Sequence, residues 1–208
     1  MRVASTSSVQ AALSYFKGRS TPLVAALVAG LGLMAAAPQS VAGPNLITNP
    51  GFETGDFTGW TLGGNTDTFA AAVQCGGGSF VKDGICSAVS AAIGTPVTIS
   101  QTIPTVVGQI YEVDFWALFD GGNHSSFAAT FGGTSLSNLN NPSGTLNFSR
   151  SNLVATSTST TLTFSLRDDP GFMFLDAVNV AAVPEPATFA LLGIGMAAIG
   201  LRRQRRSK

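Results

Sequence analysis

Tyr111-Glu112-Val113-Asp114-Phe115-Trp116-Ala117-Leu118-Phe119 reads with a period of two. Tyr111, Val113, Phe115, Ala117 and Phe119 share one parity, and Glu112, Asp114, Trp116 and Leu118 share the other. Successive side chains of a strand point to opposite sides of its sheet, so this pattern predicts a half-buried β-strand. One apolar face must be covered by a second layer, which makes the strand part of a packed sheet and not an isolated ribbon.

The same period recurs on both sides of it. Val97, Ile99, Gln101 and Ile103 alternate with Thr98, Ser100 and Thr102; Leu162, Phe164 and Leu166 alternate with Thr161, Thr163 and Ser165; Phe172, Phe174 and Asp176 alternate with Met173, Leu175 and Ala177. Shorter candidates cover residues 46–48, 59–62, 69–73, 80–82, 127–131 and 145–148. Turn chemistry separates them, as in Asn49-Pro50-Gly51, Gly63-Gly64-Asn65, Asp120-Gly121-Gly122-Asn123, Asn140-Asn141-Pro142-Ser143-Gly144 and Asp168-Asp169-Pro170-Gly171. The middle of the chain is rich in Gly, Thr, Ser, Asn and Phe and poor in Lys, Glu and Leu, which favours strands and turns. About eight to ten short strands without a helical segment predict an all-β, antiparallel β-sandwich over residues 44–182.

The two ends are of another kind. Arg2, Lys17 and Arg19 precede an apolar run over residues 23–37, followed by Ser40-Val41-Ala42-Gly43. That is the order of a secretory signal peptide over residues 1–43, cut by signal peptidase after Ala42 or Gly43. At the other end stand Val183-Pro184-Glu185-Pro186, an uncharged segment over 187–201, and the basic cluster Arg202, Arg203, Arg205 and Arg206. Pro184 and Pro186 fix φ and push the residue before each into extended geometry, so the motif is a stiff handle. Fifteen helical residues span roughly 22 Å, short of the ~30 Å hydrocarbon core, and snorkelling arginines and local thinning cover the difference. The arginines stay cytoplasmic by the positive-inside rule, leaving the domain outside. The sandwich is thus expected between a signal helix and a C-terminal hydrophobic helix. The order of residues 183–208 resembles the PEP-CTERM sorting signal of Gram-negative bacteria. That resemblance implies an exosortase-like membrane enzyme that cuts near Pro184-Glu185-Pro186, with transient anchoring and delivery to the cell surface or extracellular matrix.

Removing the ends changes the charge. Over residues 44–182 only Lys82, Arg150 and Arg167 are basic against ten acidic residues, a net of −7. Such a domain repels phosphate backbones, which argues against nucleic acid as a partner. Cys75 and Cys86 are the only cysteines. In an exported chain such a close pair predicts one disulfide, here clipping the loop that begins Cys75-Gly76-Gly77-Gly78.

The stretch Asn45-Leu46-Ile47-Thr48-Asn49-Pro50-Gly51-Phe52-Glu53, continued by Gly59-Trp60, resembles the opening of jelly-roll carbohydrate-binding modules. Phe174-Leu175-Asp176-Ala177-Val178-Asn179-Val180 resembles their closing strand, with Ala177 where that pattern has a second Asp. The resemblance implies a structural calcium near the junction of first and last strands, with Glu53 and Asp176 supplying carboxylate oxygens and Asn49 another. It also implies extracellular polysaccharide as a partner. Sugar binding needs aromatic faces flanked by amides and carboxylates, and Trp116 lies opposite Tyr111 and Phe115, beside Glu112 and Asp114. Trp116 is either such a platform or part of the core.

Catalysis has little support. A Ser-His-Asp triad would need His124, the only histidine, as base, and no Gly-x-Ser-x-Gly elbow is present. Nothing marks two carboxylates as a glycosidase pair. The expectation is therefore an exported, non-enzymatic sandwich that binds or structures exopolysaccharide, the rivals being a structural surface protein without a ligand and a secreted hydrolase.

Overall fold

The computed structural model describes residues 43–65, 67 and 70–184. Within them ten strands run in the order β1 Thr61–Gly64, β2 Ala71–Cys75, β3 Cys86–Ser90, β4 Val97–Pro104, β5 Ile110–Phe119, β6 Ser126–Phe131, β7 Thr134–Asn140, β8 Gly144–Val154, β9 Ser159–Arg167 and β10 Met173–Ala182. They form two five-stranded sheets, β1-β4-β9-β6-β7 and β2-β3-β10-β5-β8, with every pairing antiparallel. This is the expected jelly-roll-like sandwich. Residues 1–42 of the expected signal peptide, Ala42 included, and everything from Glu185 onward, with Pro186, the uncharged segment and the four arginines, lie outside the described residues.

Alternation decides the core. Tyr111, Val113, Phe115, Ala117 and Phe119 of β5 are buried, as are Val97, Ile99 and Ile103 of β4 and Leu162, Phe164 and Leu166 of β9. Phe115 of one sheet meets Phe164 of the other edge-on, with ring centroids 5.0 Å apart, and Phe127 at 5.7 Å. Such contacts add to area burial because ring edges and faces carry opposite partial charge.

The opening motif plugs one end of this core. Phe52, fully buried at φ 59°, stacks on Trp60 at 5.3 Å, and the Trp60 indole N–H donates to the Asn49 carbonyl at 3.0 Å. The chain before it is laced along β10: Gly43 N–H donates to Ala182 O and Leu46 N–H to Val180 O, while the Asn45 side-chain amide donates to Val178 O and its oxygen accepts from Val180 N–H. The expected strand at 46–48 is this lacing, not a regular strand. Residues 80–82 also depart from expectation: they belong to a loop lying on the second sheet. Two strands lacked a period-two signal. β3 is buried at nearly every position, and β7 is an edge strand of Ser, Thr and Asn with two leucines. β7 is joined to β6 through Gly132-Gly133, both at positive φ as a two-residue hairpin turn requires.

Candidate functional site

β10 and β5 run side by side in the second sheet, and their outward positions make one surface. Met173, Leu175, Val178 and Val180 point into the core, so Phe174, Asp176 and Asn179 take the other side. One extra residue in β10 between Asp176 and Asn179 makes a bulge, with Ala177 at φ 50°, and restores the parity beyond it. In register, Phe174 faces Leu118, Asp176 faces Trp116 and Asn179 faces Asp114; β8 adds Thr145, Asn147 and Ser149 in line with Leu118, Trp116 and Asp114.

The face has an aromatic end and a polar end. Phe80 stacks on Phe174 with centroids 5.5 Å apart and planes at 28°, and Phe172, 51% exposed, stands 6.5 Å from Phe174. At the polar end the Asn179 side-chain amide donates to Asp114 Oδ2 at 3.0 Å and the Ser149 hydroxyl to Glu112 Oε1 at 3.3 Å. Trp116 lies on this face, as its parity requires, but is only 7% exposed. It serves as floor; the open ring surface belongs to Phe80, Phe172 and Phe174. Their partnership was hidden because Phe80 comes from a loop whose position no local pattern announces. His124 is exposed in the β5–β6 loop.

Phe80 is positioned by the loop between Cys75 and Cys86. These cysteines are cross-strand partners of β2 and β3 and form the expected disulfide, with Cα atoms 4.0 Å apart. From the clipped loop, Lys82 and Asp83 N–H donate to Asp176 Oδ2 at 2.6 and 3.0 Å, and Ala177 N–H donates to Asp176 Oδ1. Ile85 and Cys86 N–H donate to Glu53 Oε1 at 3.0 and 2.9 Å. Burial pushes the Asp176 carboxyl above its ordinary value; the three amides pull against it and the Glu53 charge adds to it.

Of the three residues expected around a calcium, the fold brings two together. A Cβ built on Gly51 would stand 3.3 Å from Asp176 Oδ1 and 3.7 Å from Glu53 Oε1, so the two carboxylates flank that glycine. Asn49 is turned elsewhere: its amide donates to Thr54 Oγ1 and Asp56 O, its side-chain oxygen accepts from Thr54 N–H, and its carbonyl accepts from Trp60. Five backbone N–H groups converge on the carboxylate pair, so a cation there would be limited to the lone pairs they leave over. Among the described residues no group of three or more His, Cys, Asp or Glu side chains is arranged to hold a metal ion.

Comparison with known proteins adds two kinds of likeness. Residues 182–206 match the PEP-CTERM protein-sorting motif. No curated protein matches the sequence. Among solved structures the chain is similar to the carbohydrate-binding module TmCBM61 in complex with beta-1,4-galactotriose, at TM-score 0.57 and 24% identity over 66% of this chain and 98% of that one. It is also similar to the enzymatically active domain of tailspike protein 4 of bacteriophage CBA120, at TM-score 0.53 and 16% identity over 67% of this chain and 21% of that one. At these identities the likenesses establish the jelly-roll fold.

Proposed function

We propose that this is an exported, non-catalytic glycan-binding protein, sorted through its C-terminal signal and binding or structuring extracellular polysaccharide with the outer face of β10, β5 and β8. The observation that carries the reading is the strip Phe80–Phe174–Phe172 beside the Asp114–Asn179 pair on one open sheet face. Aromatic rings stack on the C–H faces of a pyranose, while carboxylate and amide groups take its hydroxyls, so the strip and the pair together suit a neutral sugar chain. Likeness to TmCBM61 supports the same reading. The sorting motif supports export, membrane anchoring through the tail, and processing by an exosortase-like enzyme. In this reading a calcium at Glu53 and Asp176 is a staple between loop and sheet and takes no part in sugar binding.

Isothermal calorimetry of the purified exported protein against a panel of soluble polysaccharides, β-1,4-galactan among them, tests the proposal. Binding weakened about fivefold or more in Phe174→Ala, with folding intact, is the expected result, since one lost stacking contact is worth about 1 kcal/mol or more. Absence of binding to every glycan would favour the structural surface protein. Release of reducing ends, abolished by replacing one carboxylate, would favour the hydrolase.

A further inference from the structure

A second group of oxygens lies at an end of the sandwich, where the β5–β6 and β9–β10 loops meet, and it is the opposite of the Glu53–Asp176 arrangement. Asp168 is completely buried, and its Oδ2 has no hydrogen-bond partner. Its other oxygen, Oδ1, packs against two glycines. A Cβ on Gly122 would overlap Asp168 Oδ1 and stand 2.8 Å from both Pro170 O and Ser125 Oγ. A Cβ on Gly171 would overlap Asp120 Oδ1 and stand 2.8 Å from Asp168 Oδ1. Two carboxylates, a hydroxyl and a main-chain carbonyl therefore converge on one small volume. The donors nearby are few: Ser125 Oγ–H bonds to Asp168 Oδ1 or Gly122 O, the Gly122 N–H faces the Asp168 carboxyl, and Phe172 N–H is taken by Asp120 Oδ2. Arg167 is turned to Asp169 at 3.3 Å.

We propose that Asp120 and Asp168, with Ser125 Oγ and Pro170 O, bind a divalent cation, and that in an exported protein this cation is calcium. An unpartnered buried carboxylate oxygen beside a second carboxylate is costly unless a positive charge lies between them. All available donors are oxygen, and they come from irregular loops. That composition suits calcium, which takes six to eight oxygens in flexible geometry and includes main-chain carbonyls. It does not suit zinc, which prefers nitrogen and sulfur. The two glycines let these oxygens approach the backbone closely. The bound ion would also steady Phe172, whose N–H and carbonyl are both bonded to Asp120. The proposal does not depend on the glycan reading.

The test is titration of the chelator-stripped exported protein with calcium chloride, followed by calorimetry and thermal melting, in wild type, Asp120→Asn, Asp168→Asn and Glu53→Gln. Saturable binding that raises the melting temperature of wild type and of Glu53→Gln is expected, with affinity lowered about 10- to 100-fold in Asp120→Asn. Asp120 is exposed, so its variant remains informative even where Asp168→Asn does not fold. No heat and no melting shift in wild type overturns the proposal. So does a response kept intact in Asp120→Asn and lost only in Glu53→Gln, which would move the ion to the other pair. An equal response to magnesium at the same concentration would mean general charge screening and also overturns it.

Discussion

Phe80 lies over Phe174 at 5.5 Å, joining a loop of the chain's first half to the central strand of the second sheet. Neither residue holds this contact alone. The loop is closed at its root by the Cys75–Cys86 bridge, and its amides are drawn down onto Asp176 and Glu53. The aromatic end of the proposed binding face is thus built by covalent closure and hydrogen bonding together.

Breaking the bridge should loosen that end first. The two cysteines are 11 residues apart, and a loop of that order contributes about 2–3 kcal/mol by restricting the unfolded chain. Cys75→Ala/Cys86→Ala is expected to lower the unfolding free energy by about that much in denaturant titration. The same variant should lose glycan affinity in step with Phe80→Ala. A double variant as stable as wild type would show that the amide contacts alone hold the loop.

Asp176 makes a pH prediction with a definite sign. Its folded carboxyl is raised from 3.8, chiefly by burial. The folded state therefore holds the proton more tightly than the unfolded state, and stability declines as pH rises from about 3.8 through the raised value. Asp56 runs the other way: bonds from Thr54 and Thr58 lower its carboxyl, so what it contributes is lost as pH falls below 3.8. Burial raises the Asp168 carboxyl as well, so its slope adds to that of Asp176, and thermal melts in chelator should show stability declining from pH 4 to 6, above the range in which Asp56 acts. Asp176→Asn should reduce that decline and leave the part that Asp168 contributes. It also sets the amide NH2 against at least one of the three N–H groups, at a cost of about 1–3 kcal/mol near neutral pH.

The plug residue carries more than its place in a loop indicates. Phe52 is fully buried against Phe57 and Trp60, with centroids 5.9 and 5.3 Å away. Phe52→Ala should cost about 3–5 kcal/mol in chemical unfolding. Phe172→Ala, at an exposed ring, should change stability by less than about 1 kcal/mol while weakening binding. Equal losses in both would erase the division between core and face.

Where the sequence could be read, it was read through burial on one side. β4, β5, β9 and β10 alternate because each has a core face and an open face, and Trp116 fell on the correct side for that reason. β3 is covered on both sides and shows no period; β7 is an edge strand in which Leu136 is the one buried side chain. The extent to which Trp116 is covered depends on neighbours from β8 and β10 and has no local signature. The Asp120–Asp168 meeting is hidden for a similar cause. Both residues stand in sequences that read only as turns, 48 positions apart, and their approach exists only once β5, β6, β9 and β10 are folded.

The last strand ends where the sorting signal begins, and that boundary can be tested. Val183 N–H donates to Ile110 O at 2.9 Å, and the Gln109 side-chain amide donates to Val183 O at 2.7 Å, so the lattice of hydrogen bonds reaches Val183. A cut after Pro184 therefore leaves these hydrogen bonds of the sandwich in place. Mass spectrometry of the exported protein should find an N-terminus at Gly43 or Pro44 and a C-terminus close to Pro186, with the melting temperature of the cut chain matching that of the uncut one. Gln109→Ala removes the amide's bonds to Ile110 O and Val183 O and should lower the stability of both chains by a similar amount, about 1–2 kcal/mol. A chain recovered intact through Lys208 would make the tail a lasting anchor instead of a processed signal.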